Sequence, residues 1–353
     1  MRSRVGIVLG VLAATAGAAV RADELMDRIR INGYGNFEFE KQLEDEGFGD
    51  KNGSFDADQL DLVFNVQAAD RVRVAVDLSW EHGTATEDDR GNQALEYGFM
   101  EYAVSDAFKI RAGKMLTPFG IFNEMHTAKP AFLTVKEAAS LNKTDRLVKD
   151  AFRYYPRWGA GIGFHGDVGI GAKDLIYDVL VANGEQDNTN PFEEDDNSVK
   201  SLTARVRFEP SEHLRLGASF YFDKDQASFG RIVSNGVELE AQWSRLRIWS
   251  EAAVGSLKTP EGGSRTQWSF YVQPSWHFER GIAPYLRIER VDPDTGLTDD
   301  QGWDFIVGVN WEVSRNFMLK LENNSFHGGE GSSLGTLPGN GYNEIKAAVA
   351  LGF

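Results

Sequence analysis

Positive charge is concentrated in one segment of this otherwise acidic chain. Between Leu116 and Arg157 there are seven basic and four acidic residues, a net charge of +3, whereas the whole sequence carries −16. The basic residues are Lys129, Lys136, Lys143, Arg146, Lys149, Arg153 and Arg157. A few cations held around a narrow, low-dielectric passage focus a field that attracts anions. The segment is therefore a candidate anion filter.

A second basic set lies on segments of alternating polarity elsewhere in the chain. Its members are Lys109, Arg111, Arg205, Arg207, Arg215, Arg247 and Arg287. Acidic residues share the same kind of segment, so two arrangements stay open. These cations either form a continuous basic track or pair with acidic residues of the same face, which are Glu38, Asp61, Asp77, Glu81, Glu289, Glu312 and Glu322. For the basic residues of the segment 116–157, the alternative to an anion filter is pairing with wall carboxylates such as Glu238, Glu240, Glu251 or Glu344, which would only fix the loop.

Catalytic chemistry has little support in the sequence. There is no cysteine, which excludes cysteine nucleophiles, Cys-ligated zinc, iron–sulfur clusters and covalently attached haem. The six histidines are scattered, with no pair at metal-ligand spacing and no HExxH motif. We therefore expect no enzyme activity, no cofactor and no metal site.

The first 22 residues have the composition of an export signal. A basic start at Arg2 and Arg4 precedes an apolar run from Val5 to Val20, and we expect cleavage after Ala22. An uncleaved anchor is the alternative, which the short, alanine-rich run disfavours. The mature chain, residues 23–353, would carry 34 basic and 53 acidic residues, a net charge of −19. Such an acidic balance argues against a nucleic-acid partner.

Alternation of apolar and polar residues dominates the mature chain. Val72, Val74 and Val76 alternate with Arg71, Arg73 and Asp77, and similar segments follow as far as Phe353. Such alternation predicts strands with one apolar and one polar face. Division at turn signals predicts about sixteen strands, an even number typical of outer-membrane barrels. The segment from Leu95 to Val104 is the exception, because its pattern does not indicate which face points inward.

The connections between these strands alternate between short and long. Ala69-Asp70 and Ser244 are short, whereas Lys41 to Gly53, Gly184 to Val199 and Gly328 to Asn340 are long. This alternation, with aromatic residues at strand ends, is typical of a transmembrane antiparallel β-barrel in the outer membrane. We therefore expect an all-β fold of about sixteen strands. The segment 116–156 is too long for an idle connection, so we expect this third loop to fold into the lumen as the constriction.

Several short motifs occur in a distinctive order. Arg111-Ala112-Gly113-Lys114 and Thr117-Pro118-Phe119-Gly120 begin the long segment, and Pro156-Arg157-Trp158-Gly159 ends it. Further motifs are Tyr177 to Gly184, Leu202 to Arg205, Tyr271-Val272-Gln273, Arg287 to Asp292 and the terminal Phe353. Together they resemble the phosphate-selective porin O and P family of Gram-negative outer-membrane channels. The resemblance implies a trimeric, water-filled, sixteen-stranded barrel, with Lys109, Arg111 and the loop lysines as candidates for phosphate-binding residues.

The leading functional hypothesis is passive diffusion of small hydrophilic solutes or ions across the bacterial outer membrane, with a mild preference for anions. The expected partners are those solutes, outer-membrane lipids and two further copies of the chain in a homotrimer, with no nucleic acid. A barrel scaffold around a partner such as a cytochrome is the first alternative. An outer-membrane enzyme is the second, and it lacks a visible nucleophile constellation.

Overall fold

Sixteen antiparallel strands close into a single barrel, so the predicted fold class is confirmed. The fold is taken from a computed structural model, which describes residues 28–43, 52–82, 92–125, 128–142, 144–148, 151–171, 173–184, 198–224, 230–329 and 341–353. The expected signal segment 1–22 lies outside these residues. Within them, no helix is long and apolar enough to cross a membrane.

The strands follow one another around the barrel in chain order. Their bounds are β1 Ile29–Gln42, β2 Ser54–Ala69, β3 Val72–Glu81, β4 Asn92–Ser105, β5 Phe108–Leu116, β6 Trp158–Ile170, β7 Lys173–Ala182, β8 Ser201–Ser211, β9 Leu214–Lys224, β10 Arg231–Trp243, β11 Leu246–Lys258, β12 Ser264–Trp276, β13 Ile282–Asp292, β14 Gly302–Ser314, β15 Phe317–Gly328 and β16 Gly341–Gly352. Short turns join them at one end of the barrel, which we call the short-turn end. The longer connections lie at the other, the long-loop end.

The barrel closes where the first strand pairs with the last. The Gly33 N–H donates to the Phe353 carbonyl at 2.9 Å, and the Phe353 N–H donates to the Gly33 carbonyl at 2.8 Å. A Cβ atom on Gly33 would lie 2.3 Å from the Phe353 ring, so only glycine fits here. Closure leaves no strand edge unpaired, as a lipid environment requires.

The two faces of the wall follow the predicted alternation. On β10, Ser234 and Glu238 face the lumen and are buried, whereas Val237 points outward and is 60% exposed. The same outward exposure recurs at Met100 on β4 and Val307 on β14. Aromatic residues lie outward near strand ends, including Trp243 and Trp276. An outer surface of this kind is suited to hydrocarbon with aromatic girdles at its interfaces.

A β-bulge explains the ambiguous pattern of β4. Asp77 on β3 pairs with Tyr97, but the next residue, Leu78, pairs with Leu95, so Glu96 is the extra residue. The insertion reverses the alternation, since Leu95 on one side of it and Met100 on the other both point outward. A period-two pattern cannot be followed through such an insertion.

Candidate functional site

The connection between β5 and β6, residues 117–157, packs against lumen-facing side chains of the wall; we call it the folded-in loop. It contains two 3₁₀ turns, Asn123–Met125 and Lys129–Ala131, and two short helices, Ala139–Asn142 and Thr144–Leu147. Its two ends are joined, because the Thr117 N–H donates to the Arg157 carbonyl at 2.9 Å. The Asn123 amide donates to both the Thr117 and Arg157 carbonyls. The loop therefore leaves and rejoins the wall at one neck.

Aromatic residues attach the folded-in loop to the β9–β12 side of the wall. Phe119 stacks on Tyr155 with ring centroids 4.3 Å apart, and Phe122 packs edge-on against the wall residue Tyr271 at 5.5 Å. All four rings are almost fully buried. Because burying one such side chain stabilises by about 1.5–3 kcal/mol, this cluster supplies much of the docking free energy.

Two wall glycines make this close approach possible. A Cβ atom on Gly236 would lie 2.6 Å from the Phe119 ring, and one on Gly255 would lie 2.8 Å from the Phe152 ring. Lumen-facing glycine in the middle of a strand usually marks a site where another group approaches closely. These glycines are a sequence signal for the docking surface that the alternation pattern alone does not reveal.

Carboxylates of β1 and β2 hold two of the predicted filter lysines. Lys136 forms ion pairs with Glu38 and with Asp58, the latter at 3.2 Å. Lys129 lies 3.5 Å from Asp58 and is itself buried. The Asn36 amide also donates to Asp58, at 3.0 Å. Both lysines therefore serve as anchors whose charge is matched by the wall.

Arg287 anchors the centre of the folded-in loop. Its side chain is 1% exposed, and its Nε lies 2.7 Å from a carboxylate oxygen of Glu289. The guanidinium also donates to the Thr134 hydroxyl at 2.9 Å and to the Glu137 carbonyl at 3.2 Å. The other oxygen of Glu289 accepts the Ser140 N–H at 2.7 Å. The wall pair thus contacts the loop from Thr134 to Ser140, on both sides of Glu137.

Lys320 on β15 forms a third anchor. Its ammonium group donates to the carbonyls of Lys129, Phe132 and Thr134 at 2.7, 2.7 and 2.9 Å, which uses all three of its N–H donors. Sequence analysis missed Lys320, whereas for Arg287 it left pairing with inward carboxylates such as Glu289 open; it did not identify the loop contacts of either residue. Their partners are mostly loop carbonyls, which no residue type identifies.

We expect Lys320→Met to destabilise the protein by about 2 kcal/mol, because three buried loop carbonyls lose a charged donor. Urea titration of the refolded protein measures the effect. Lys109→Met is the matched control, since Lys109 faces the lumen half-buried and has no ion pair among the described residues. Equal midpoints for the two variants would contradict the anchoring role.

Other predicted cations are also paired. Arg157 lies 2.8 Å from Glu137 within the loop. Arg205 joins the wall carboxylate Glu238 and the loop carboxylate Glu124, each at 2.7 Å. Glu238 was proposed from the sequence as a partner for cations of the loop, and it pairs instead with the wall residue Arg205. These pairs bind the start of the loop to β8 and β10.

Three further predicted cations, Arg111, Arg207 and Arg215, lie on the wall outside the aromatic cluster that attaches the folded-in loop. Arg111 lies 2.7 Å from Glu101, which also binds Arg73 at 3.0 Å. Arg207 lies 3.6 Å from Glu124 and 3.7 Å from Asp178. At the short-turn end, Arg215 pairs with carboxylates of Glu209 and Glu240 at 2.6 and 2.9 Å. These residues have partners, yet several remain in contact with solvent.

Four of the predicted filter residues cannot be assigned to this geometry. Lys143 and Lys149 lie outside the described residues, as does the side chain of Arg146. Arg153 is described and exposed. Their contribution to a filter stays a prediction.

Ion pairing keeps the loop groups charged. The surrounding protein partly desolvates Glu124, which raises its pKa, but the neighbouring Arg205 and Arg207 outweigh this effect and hold that pKa below its ordinary value. Burial lowers the pKa of Lys136, but the nearby carboxylates of Glu38 and Asp58 outweigh this effect, so that the pKa lies above its ordinary value. Both groups are therefore ionised at neutral pH.

One cluster of potential metal ligands occurs within the described ranges. Ligand atoms of Asp56, Asp58 and His82 lie within 4.8 Å of one another near the long-loop end. Asp58 already binds Lys136 and Asn36, and His82 Nδ1 lies 2.8 Å from Asp56. These contacts account for the cluster without an ion.

No protein-family model matches the sequence. An uncharacterized protein of Aquifex aeolicus (strain VF5) is 24% identical over 259 residues, which are 69% of this chain and 55% of that protein. The chain thus spans about half the length of the curated relative it matches.

Solved structures share the fold. The anion-selective porin from Comamonas acidovorans superposes with a TM-score of 0.67 at 10% identity, covering 92% of this chain and 99% of that chain. Salmonella typhi OmpF gives 0.65 at 10% identity, with 92% and 97% covered. Pseudomonas putida OprB gives 0.66 at 9% identity, with 94% and 96% covered. The fold is therefore that of outer-membrane porins.

Proposed function

We propose that this protein is an outer-membrane diffusion channel for small hydrophilic solutes. The observation that carries the proposal is a closed barrel with an apolar outer face, a charged lumen and a loop docked against part of that lumen. A barrel of this strand number has room for an aqueous channel, which the folded-in loop narrows. The porin folds found by comparison support the same conclusion.

The proposed solute path runs between the start of the folded-in loop and the wall around β3 to β8. Arg73 and Arg111 keep 33% and 26% of their side chains exposed, and Arg207 keeps 20%. On the loop side Glu124 is 37% exposed. These side chains are in contact with water, unlike the buried anchors Arg287 and Lys320 on the opposite side.

We further propose that the channel mildly prefers anions. In the ion pairs along the path, the arginine side chains are more exposed than the wall carboxylates that they bind. Glu101 is only 9% exposed against 33% and 26% for its partners Arg73 and Arg111. Asp178 is 12% exposed against 20% for Arg207. A solute therefore meets more guanidinium than carboxylate on this wall, although the exposed Glu124 offsets part of the effect. Phosphate selectivity, as in the porin O and P family, would need these arginines to release their partners.

Single-channel recording in planar bilayers tests the proposal. We expect stepwise potassium chloride currents whose reversal potential under a salt gradient lies on the chloride side of zero. Added phosphate that blocks at low concentration would favour a phosphate channel. Silence from a correctly folded barrel would contradict the channel and favour the scaffold alternative, which the loop packed in the lumen disfavours.

We expect the double variant Arg73→Gln and Arg111→Gln to shift the reversal potential towards that of potassium, because Glu101 then loses both guanidinium partners and, among the described residues, keeps only its contact with His165. Arg247→Gln is the control, since Arg247 faces the lumen from β11, outside the β3–β8 part of the wall, and is the second residue of its strand after a short turn, as Arg73 is. Equal shifts in both would show that selectivity is not set between the loop and the β3–β8 wall.

An enzyme function has one sequence feature in its favour, the Gly-Ser-Ser-Leu-Gly run at 331–335, which lies outside the described residues. The nucleophile motif of this form works at a strand-to-helix turn of an α/β-hydrolase. Here the run connects two antiparallel strands, β15 and β16. We therefore propose a passive channel rather than an enzyme. We further propose that residues 1–22 are a signal peptide, that residues 23–353 form the mature barrel, and that three copies assemble as a homotrimer.

A further inference from the structure

A cavity of about 130 Å³ lies between the folded-in loop and the wall formed by β13 to β16. Its wall side includes Asp304, Asn324, Phe326 and Tyr342, and its loop side includes Ala139 and Leu147. An apolar cavity of about 150 Å³ can hold a molecule the size of benzene. The space is thus large enough for one small solute.

The wall residues occupy adjacent positions because of the strand register. Asp304 lies directly opposite Phe326, and Phe326 lies directly opposite Tyr342. The two rings are stacked with centroids 4.3 Å apart. Leu147 packs in the same apolar cluster as Phe326. The cavity therefore combines a carboxylate with an aromatic and aliphatic surface.

The cations around this cavity are all engaged elsewhere. Arg287 pairs with Glu289 at 2.7 Å and donates to the loop. Lys346 pairs with Glu344 at 3.0 Å and lies 3.4 Å from Glu40. Lys136 is held by the carboxylates of β1 and β2.

Asp304 has no hydrogen bond or close ion pair with any described residue, although Arg287 and Lys346 of the same cavity act on it electrostatically. Its side chain is 1% exposed, its Oδ1 accepts no hydrogen bond, and no ion pair reaches it from any described residue. The Oδ1 of Asn324, 3% exposed, likewise accepts no hydrogen bond. Burying a carboxylate oxygen that accepts no hydrogen bond is unfavourable. An occupant that donates hydrogen bonds and carries positive charge would satisfy these two acceptors, and an apolar part of it would contact the apolar surface beside them.

We propose that this cavity binds a small organic cation, a primary ammonium group attached to a short apolar body. The ammonium donates to Asp304 and Asn324, and the body contacts Leu147 and the aromatic pair. Attraction between a cation and aromatic rings adds to the carboxylate interaction. The inference rests on the proposed channel function, because the channel would deliver the solute. A bare metal ion would leave the apolar side of the cavity unfilled.

Isothermal titration calorimetry of the full-length, detergent-refolded protein with propylammonium chloride tests the proposal. We expect saturable binding, no binding of 1-propanol or sodium propionate at the same concentrations, and no competition by potassium chloride. Equal binding of 1-propanol would show a merely apolar cavity. Competition by potassium would show an inorganic cation site. Either result would overturn the proposal.

Two variants identify the groups involved. Asp304→Asn keeps the side-chain shape and should weaken propylammonium binding at least tenfold, and Asn324→Leu should weaken it more moderately. Glu312→Gln, the same kind of change near the other end of β14, should leave the affinity within twofold of the original. If Asp304→Asn does not fold, Asn324→Leu decides alone. Unchanged affinity in the folded variants overturns the proposal.

Conductance measured on the same preparations separates the two proposals. Potassium chloride currents without propylammonium binding would overturn the cavity assignment and leave the channel intact. Propylammonium binding by a barrel that conducts nothing would support the cavity and overturn the channel. Current interruptions that propylammonium causes in the original protein, and not in Asp304→Asn, would support both.

Discussion

Replacing Arg287 with leucine is expected to destabilise the protein by about 3–5 kcal/mol, because the buried carboxylate of Glu289 then loses its counter-charge. The change also removes the donors to Thr134 and Glu137, so the centre of the folded-in loop loses its attachment to β13. Urea unfolding measures the first effect. Bilayer recording measures the second, as larger or noisier currents through a less constricted lumen.

Arg247→Leu is the matched control for Arg287→Leu. Arg247 also faces the lumen, from β11, but it is exposed and has no ion pair among the described residues. Its replacement should change stability by less than about 0.5 kcal/mol and leave the current noise unchanged. Comparable losses in the two variants would mean that burial of the Arg287–Glu289 pair does not hold the loop.

Replacing Val237 with arginine is expected to cost about 2–4 kcal/mol, the range measured for a cation at the membrane midplane on the lipid face of a barrel. Val237 is the central residue of β10 and points outward with 60% of its surface exposed. Refolding into lipid vesicles, followed by urea titration, measures the cost. In detergent, where the apolar layer is less strictly bounded, we expect a smaller loss.

Trp243→Arg provides the control for depth. Trp243 points outward from the same strand, but at its short-turn end. The cost of a cation falls to about 0–1 kcal/mol near the membrane interface. A penalty at Trp243 equal to that at Val237 would contradict the proposed position of the barrel in the membrane.

The barrel could be predicted from the sequence because its signal is local. Side chains on a strand alternate between faces, so Val72 to Asp77 indicate a two-faced wall without knowledge of any neighbouring strand. The pattern failed at β4, where Glu96 forms a bulge opposite Asp77. A bulge is defined by pairing with the partner strand, and no local pattern contains that information.

The sequence was enough to predict which charged residues belong to the site, but not which of them form ion pairs. The sequence identified Lys129, Lys136 and Arg205 as candidates for an anion filter, and left their pairing with carboxylates as an open alternative. The structure gives each of them a partner, at Asp58, Glu38 and Glu238 respectively. An ion pair between residues 78 positions apart, such as Lys136 and Asp58, depends on closure of the barrel and on the path of the loop.

The sequence by itself determined the strand number, the two faces of the wall, the position of the long loop and the acidic balance, because these follow from periodicity, turn residues and counted charges. Only the tertiary structure decided which charges neutralise one another and which stay exposed. It also decided that a carboxylate oxygen of buried Asp304, which accepts no hydrogen bond from the described residues, lies at a cavity. Coulomb energy depends on distance and local dielectric, and both are set by packing between segments far apart in the chain.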